Sequence, residues 1–187
     1  MKKVNLIFNI CAIVLLLTIV TMTLVTKCVN KKDEPTPTKE DVYIEELENL
    51  YNKGDYDAIT ILIRDKNLYS AKYKKYYELA DTYYHYSLAE QYMTMLEGEE
   101  VVNYDIVHMY VEYILNYGFI ALNMSEAYSG NEDITGNEEA LEEIGNKTYK
   151  IMSEKLHMTD DEIEEGRTAK DSESVGKIAE NVSKRFY

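Results

Sequence analysis

The most suggestive spacing for chemistry in this chain lies between Asn131 and Glu142. Asn131, Asp133, Thr135, Asn137, Glu139 and Glu142 carry side-chain oxygens at positions 1, 3, 5, 7, 9 and 12 of a twelve-residue stretch, with Gly136 at position 6. That is the spacing with which an EF-hand-like loop wraps Ca²⁺, the glycine making the sharp turn. Two departures weaken it: Asn opens the loop where Asp is expected, and Glu138 stands where an apolar residue belongs. The spacing predicts at most a weak calcium site. The alternative is an acidic connection whose Asn137 caps the next helix. No other cofactor is implied.

The histidines offer little more. His85 has Asp81 one turn before it, and His108 has Glu112 one turn after it. Such pairs on facing helices can build a metal site in a bundle. Counted from a hairpin midpoint near residue 100, however, the two histidines stand about 10 Å apart along the helix axes, so no joint site is expected. No nucleophile stands beside a base at a known spacing, and no G-x-S-x-G, P-loop or H-E-x-x-H is present. The chain is not expected to be an enzyme.

Charge excludes another class. The net charge is −14. From Pro35 onward 15 basic residues face 32 acidic ones, and no Lys or Arg occurs between Lys75 and Lys147. Such a surface repels phosphate backbones, so nucleic acid is not an expected partner.

The aromatic composition is lopsided, with eighteen Tyr, three Phe and no Trp. Tyrosine buries a ring but keeps a hydroxyl that wants a partner, so it suits surfaces between core and water. Thirteen of the eighteen lie between residues 69 and 128. One helical stripe cannot hold them all. Tyr69, Tyr86 and Tyr113 fall off the main stripe and are the expected binding surface, since exposed Tyr gives broad contact area at modest entropic cost. The alternative is that these rings cover seams between helices.

The elements that position these residues read as helices. Ser70–Leu96 carries Tyr73, Tyr76/Tyr77, Ala80, Tyr83/Tyr84, Leu88, Tyr92 and Met95 at steps of three and four, and Gly98 ends it. Asn103 caps a second long helix over Tyr104–Tyr128, facing inward through Val107, Val111, Ile114, Gly118, Leu122 and Ser125. The same hairpin midpoint places Ala80 and Gly118 level, predicting a close contact between these small residues. Before this pair, Lys39–Lys53 and Tyr56–Arg64 form a short hairpin around Gly54 and the cap Asp55. After it come a helix over Asn137–Leu156, a weakly ordered turn or short helix over Thr159–Asp171, and a last amphipathic helix through Val175, Ile178, Val182 and Phe186.

Gly54-Asp55-Tyr56-Asp57-Ala58-Ile59 resembles the turn of a tetratricopeptide repeat, and Leu79-Ala80 with Tyr83 resembles the first helix of one. The resemblance covers residues 43–83. Ala58 comes one position early, Ser70–Leu96 is nearly twice a repeat helix, and no 34-residue period is visible. The resemblance implies helical-hairpin packing and a binding role, without a chemistry.

Residues 1–3 form a short charged tail. Val4–Thr26 is 23 mostly apolar residues without a charge, flanked by lysines, which is long enough to cross a bilayer. No small-residue cleavage site follows, so a retained signal-anchor helix is expected. Cys28 invites lipidation instead, but Lys27 precedes it where a small residue is needed. A short charged tail before a long domain predicts a single-pass protein of the cell membrane with the C-terminal domain outside. Residues 27–38, with both prolines, form a linker, and 39–187 an acidic domain. The expected fold class is all-α: one transmembrane helix plus about six antiparallel helices. The expected function is a membrane-anchored binding or scaffolding module with a protein partner at the cell envelope. The alternative is a structural component of a membrane-associated or mobile-element system with no ligand of its own. The sequence leaves the oligomeric state open.

Overall fold

The computed structural model describes residues 38–98, 103–130 and 136–186. The expected span Val4–Thr26, nearly all of the linker, and Asn131, Asp133 and Thr135 lie outside the described residues. Among those described, the chain is helical throughout, with seven α-helices and no strand. No helix among them is long and apolar enough to cross a membrane.

The helices are α1 (Lys39–Asn52), α2 (Tyr56–Lys66), α3 (Lys74–Gly98), α4 (Tyr104–Ser129), α5 (Glu138–Lys150), α6 (Asp160–Thr168) and α7 (Ser172–Ser183). Contacts divide the chain at Val42/Tyr43, inside α1. Of the first unit, residues 38–42 are described: the opening turn of α1, where Thr38 and Asp41 cap each other reciprocally at 3.0 and 3.2 Å. The second unit, Tyr43–Tyr187, holds the core.

Local chemistry sets the boundaries. Gly54 adopts φ +68°, which glycine takes without steric cost, and reverses the chain after α1. The Asp55 carboxylate then accepts from the Ala58 amide at 3.1 Å and caps α2. Asn67, at φ 54°, closes α2 in the left-handed conformation. The long tyrosine helix does not begin at Ser70 as expected. A 3₁₀ turn over Ala71–Tyr73 precedes α3.

Helix α4 is the hub, packing against α3, α5, α6 and α7, while α2 covers α3 and α5 reaches both α3 and α4. Its inner side (Val107, Val111, Ile114, Leu115, Phe119) meets Leu79 and Met93 of α3, Leu141 and Ile144 of α5, Ile163 of α6 and Val182 of α7 in one buried core. Small residues let the helices approach. A methyl on Gly145 would lie 2.5 Å from the Ser125 hydroxyl, and one on Gly166 2.0 Å from the Phe119 ring.

Gly118 is buried at such a contact, but Ala80 is not its partner. A methyl on Gly118 would meet Met152, Thr148 and Ala89, at 2.4, 3.6 and 3.9 Å. The α3–α4 hairpin is therefore staggered from the expected level by the nine residues between Ala80 and Ala89, about 13 Å. A midpoint taken from sequence alone ignores how the helix ends slide past each other.

One C-terminal expectation is corrected and another is narrowed to one of its alternatives. The helix after Asn137 is α-helical only to Lys150 and then widens into a π-turn over Ile151–Lys155, which buries Ile151 and Met152 together. Of the turn or short helix expected over residues 159–171, the structure shows the short helix. Thr159 and Glu162 form a complete capping box, and α6 buries Ile163 and Gly166 beneath α4.

Candidate functional site

Helix α4 is apolar on two sides, and the described residues cover only one. Met109, Tyr113, Tyr117 and Ile120 recur at steps of four, four and three, so they share an arc pointing away from α5, α6 and α7. Met109, Tyr113 and Ile120 remain 40–42% exposed. On α3, Tyr84, Leu88, Tyr92 and Met95 recur at steps of four, four and three on the matching arc. Tyr84 and Met95 are exposed too. The two arcs adjoin, because Tyr92 of α3 stacks on Tyr113 at 4.8 Å and lies parallel to Tyr117 at 6.0 Å. The ladder continues through His85, 6.2 Å from Tyr117 and 5.6 Å from Tyr84. The Arg64 guanidinium of α2 stands 5.3 Å above Tyr84 at one edge.

Further along, Tyr69 packs 5.9 Å from Tyr77. Tyr128 continues the Tyr117 line of α4, eleven residues further on, and burial pushes its hydroxyl's pKa up, with further contributions from Glu78, Asp81 and Tyr77. From Met109 to Tyr128 the face runs about 28 Å along α4. Its rim is mainly acidic, with Arg64 of α2 as the cation at the Tyr84 edge. Asp81 lies on the α3 arc and Asp105 and Glu112 border the α4 arc, while neither helix carries a Lys or Arg after Lys75. Burial pushes the Asp81 carboxyl up, with His85 opposing.

The three tyrosines singled out from sequence divide. Tyr69 and Tyr113 are exposed and belong to this face. Tyr86 does not: it is 7% exposed, and its hydroxyl donates to Glu90 at 2.6 Å. Six residues before Tyr92, Tyr86 points to the opposite side of α3, toward α5. It serves the seam-covering role, as does Tyr83, whose hydroxyl donates to Asp57 at 3.1 Å and whose pKa burial and that bond push up to about 12. Sequence reasoning assigned α4 one stripe and missed Met109, Tyr117 and Ile120. The available signal was that Met109, Tyr113, Tyr117 and Ile120 also recur at helical spacing, on a line the inner stripe does not include.

The calcium spacing has a different use where it is described. Asn137 is fully buried, and its side-chain amide donates to the Lys75 carbonyl rather than capping α5. Glu138 accepts from the Gly136 amide at 2.9 Å, while Glu139 and Glu142 are exposed on α5. A cation already stands here: the Lys75 ammonium lies 4.3 Å from the Tyr51 ring and beside Gly136. Among the described residues no group of three His, Cys, Asp or Glu side chains could hold a metal. The histidines diverge as well, His85 toward Tyr117 and His108 toward the Ser183 hydroxyl of α7 at 3.4 Å.

Compared with family models, curated proteins and solved structures, the chain matches none. The tyrosine face therefore has to be read on its own chemistry.

Proposed function

We propose that this chain is a membrane-held binding module whose docking surface is the tyrosine face of the α3–α4 hairpin. The observation that carries the reading is the stack of Tyr92 on Tyr113 and Tyr117, edged by exposed Met95, Met109 and Ile120. Two helices packed 8–10 Å apart over that length offer roughly 600 Å² of largely apolar surface. Isolated apolar side chains are ordinary on a protein surface, whereas a contiguous patch at the top of the range found on monomers is often functional. Tyr and Met are the residue types enriched in interface cores. The run Val4–Thr26 would hold the module at the cell membrane with the domain outside, where a protein partner at the envelope can reach it.

A photo-cross-linking side chain in place of Tyr113, in the full chain in membranes of its native cells, tests the docking surface. A discrete adduct is expected from that position and none from Glu142, which is exposed on α5. Equal labelling from both positions, or none from either, would favour the structural component without a ligand. Carbonate washing tests the anchor in the same preparation: the chain should remain with the membranes, and external protease should remove the domain from intact cells.

A further inference from the structure

The tyrosine face leaves two questions that its shape and charge answer: what form the partner takes, and what charge it carries. Form follows from the hairpin. Its backbone donors and acceptors are spent inside α3 and α4, and the described residues contain no strand, so there is no sheet edge for an extended peptide to pair with. The opposite side of the same hairpin already holds a helix, since α5 packs on both α3 and α4. The open side presents aromatic and aliphatic groups at steps of three and four, the spacing at which a helix offers its own anchors.

Charge follows from the rim. Asp81, Asp105 and Glu112 are the carboxylates on these arcs, His85 lies between Tyr84 and Tyr117, Arg64 of α2 is the cation at the Tyr84 edge, and basic residues are absent from both helices after Lys75. A second copy of the chain would set this acidic rim against itself, in a domain region that carries −17 from Pro35 onward. Like charges across an interface suppress association, and opposite charges select and steer the partner.

We infer that the α3–α4 face binds an amphipathic α-helix of another protein, about 20 residues long, with an apolar stripe and Lys or Arg along its flanks. This rests on the docking reading above and adds the partner's form and charge.

The test uses the full chain held in phosphatidylcholine nanodiscs, with empty discs as the control. Two designed 20-residue helical peptides share one Leu/Ala stripe and one Trp; one has Lys/Arg flanks and the other Glu flanks. The chain contains no Trp, so the peptide's fluorescence reports binding without background. The basic peptide should bind at least about 10-fold more tightly at low salt, and the preference should shrink several-fold at 0.5 M salt as the charges are screened. Tyr113→Asp should weaken the basic peptide at least about 10-fold with the helical circular dichroism unchanged, while Glu142→Lys should leave it unaltered. Reversing the rim with Asp105→Lys and Glu112→Lys should invert the preference. Equal binding of both peptides, each weakened by Tyr113→Asp, overturns the basic partner and keeps the docking face. Binding indifferent to Tyr113→Asp overturns both. If neither peptide binds, the helical partner is overturned and cross-linking at Tyr113 alone decides the docking surface. A dimer dispersed by Tyr113→Asp would make a second copy the occupant and overturn the inference.

Discussion

Replacing Gly166 by Ala adds one methyl group and should destabilise the domain. Gly166 is buried in α6, and its missing Cβ would sit 2.0, 2.3 and 2.7 Å from three atoms of the Phe119 ring. Ordinary contact begins near 3.4 Å, so the ring or the helix must retreat by more than an ångström. Phe119 is 5% exposed and rigid, with no flexible end to swing aside. Overpacking of this kind costs about 1–3 kcal/mol. Against it stands the helix-forming advantage of Ala over Gly, about 0.8–1 kcal/mol. The balance is a loss of about 1 kcal/mol, or roughly 3–5 °C in melting temperature for a domain of this size. Thermal unfolding followed by circular dichroism on the full chain measures it. The same substitution in a Phe119→Leu background should cost much less, because the smaller side chain vacates the space, and this double-mutant comparison isolates the contact. An unchanged or raised melting temperature, or an equal cost in both backgrounds, would refute the α4–α6 packing described here.

Gly118→Leu should also destabilise, by about 1–3 kcal/mol, since even a methyl there meets Met152 at 2.4 Å; a variant melting at the parent temperature would mean that Gly118 does not face the π-turn. Glu78 gives a pH signature. Its carboxyl is 5% exposed with one oxygen unpartnered, and burial pushes its pKa up while Lys74 only partly offsets this. The folded state therefore holds the proton more readily than the unfolded one. The penalty is present above the folded pKa and vanishes below the unfolded value. Glu78→Gln should raise the urea midpoint at pH 7, with the gain fading as the pH falls toward 4; a gain independent of pH would show that Glu78's charge is not what costs stability.

What could be read in the sequence is what short-range chemistry decides. Asp55, Asn103 and Thr159 each accept an amide hydrogen bond at the start of the helix they precede, because a cap involves only its own next three residues. The inner stripe of α4 was legible for the same reason. Tyr86 was not, because its burial depends on α5, more than fifty residues away, lying on that side of α3. The Ala80–Gly118 pairing failed because the stagger of a helical hairpin is set by core packing along its whole length. Asn137 sits at the position of a helix cap, yet its side chain goes to Lys75, 62 residues earlier. The three calcium-spaced positions before Gly136 lie outside the described residues. The tyrosine face was half legible: Tyr69 and Tyr113 came from their position off the stripe, whereas Met109, Tyr117 and Ile120 needed the knowledge that no helix among the described residues covers α4 there.

The composition of that face bears on why it can stay open. A second apolar side on α4 built from Leu and Ile would be an aggregation liability in any chain waiting for its partner. Tyr rings keep the contact area while their hydroxyls remain solvated, so the cost of exposure before binding is smaller. If the face docks a partner as proposed, its acidic rim would disfavour acidic proteins and other copies of this chain and favour basic flanks. The absence of Lys and Arg between Lys75 and Lys147 is thus best understood locally. That interval contains nearly all of α3 and the whole of α4. A cation already stands at one edge of the face, where Arg64 lies over Tyr84, and a lysine within α3 or α4 would add a second among the rings.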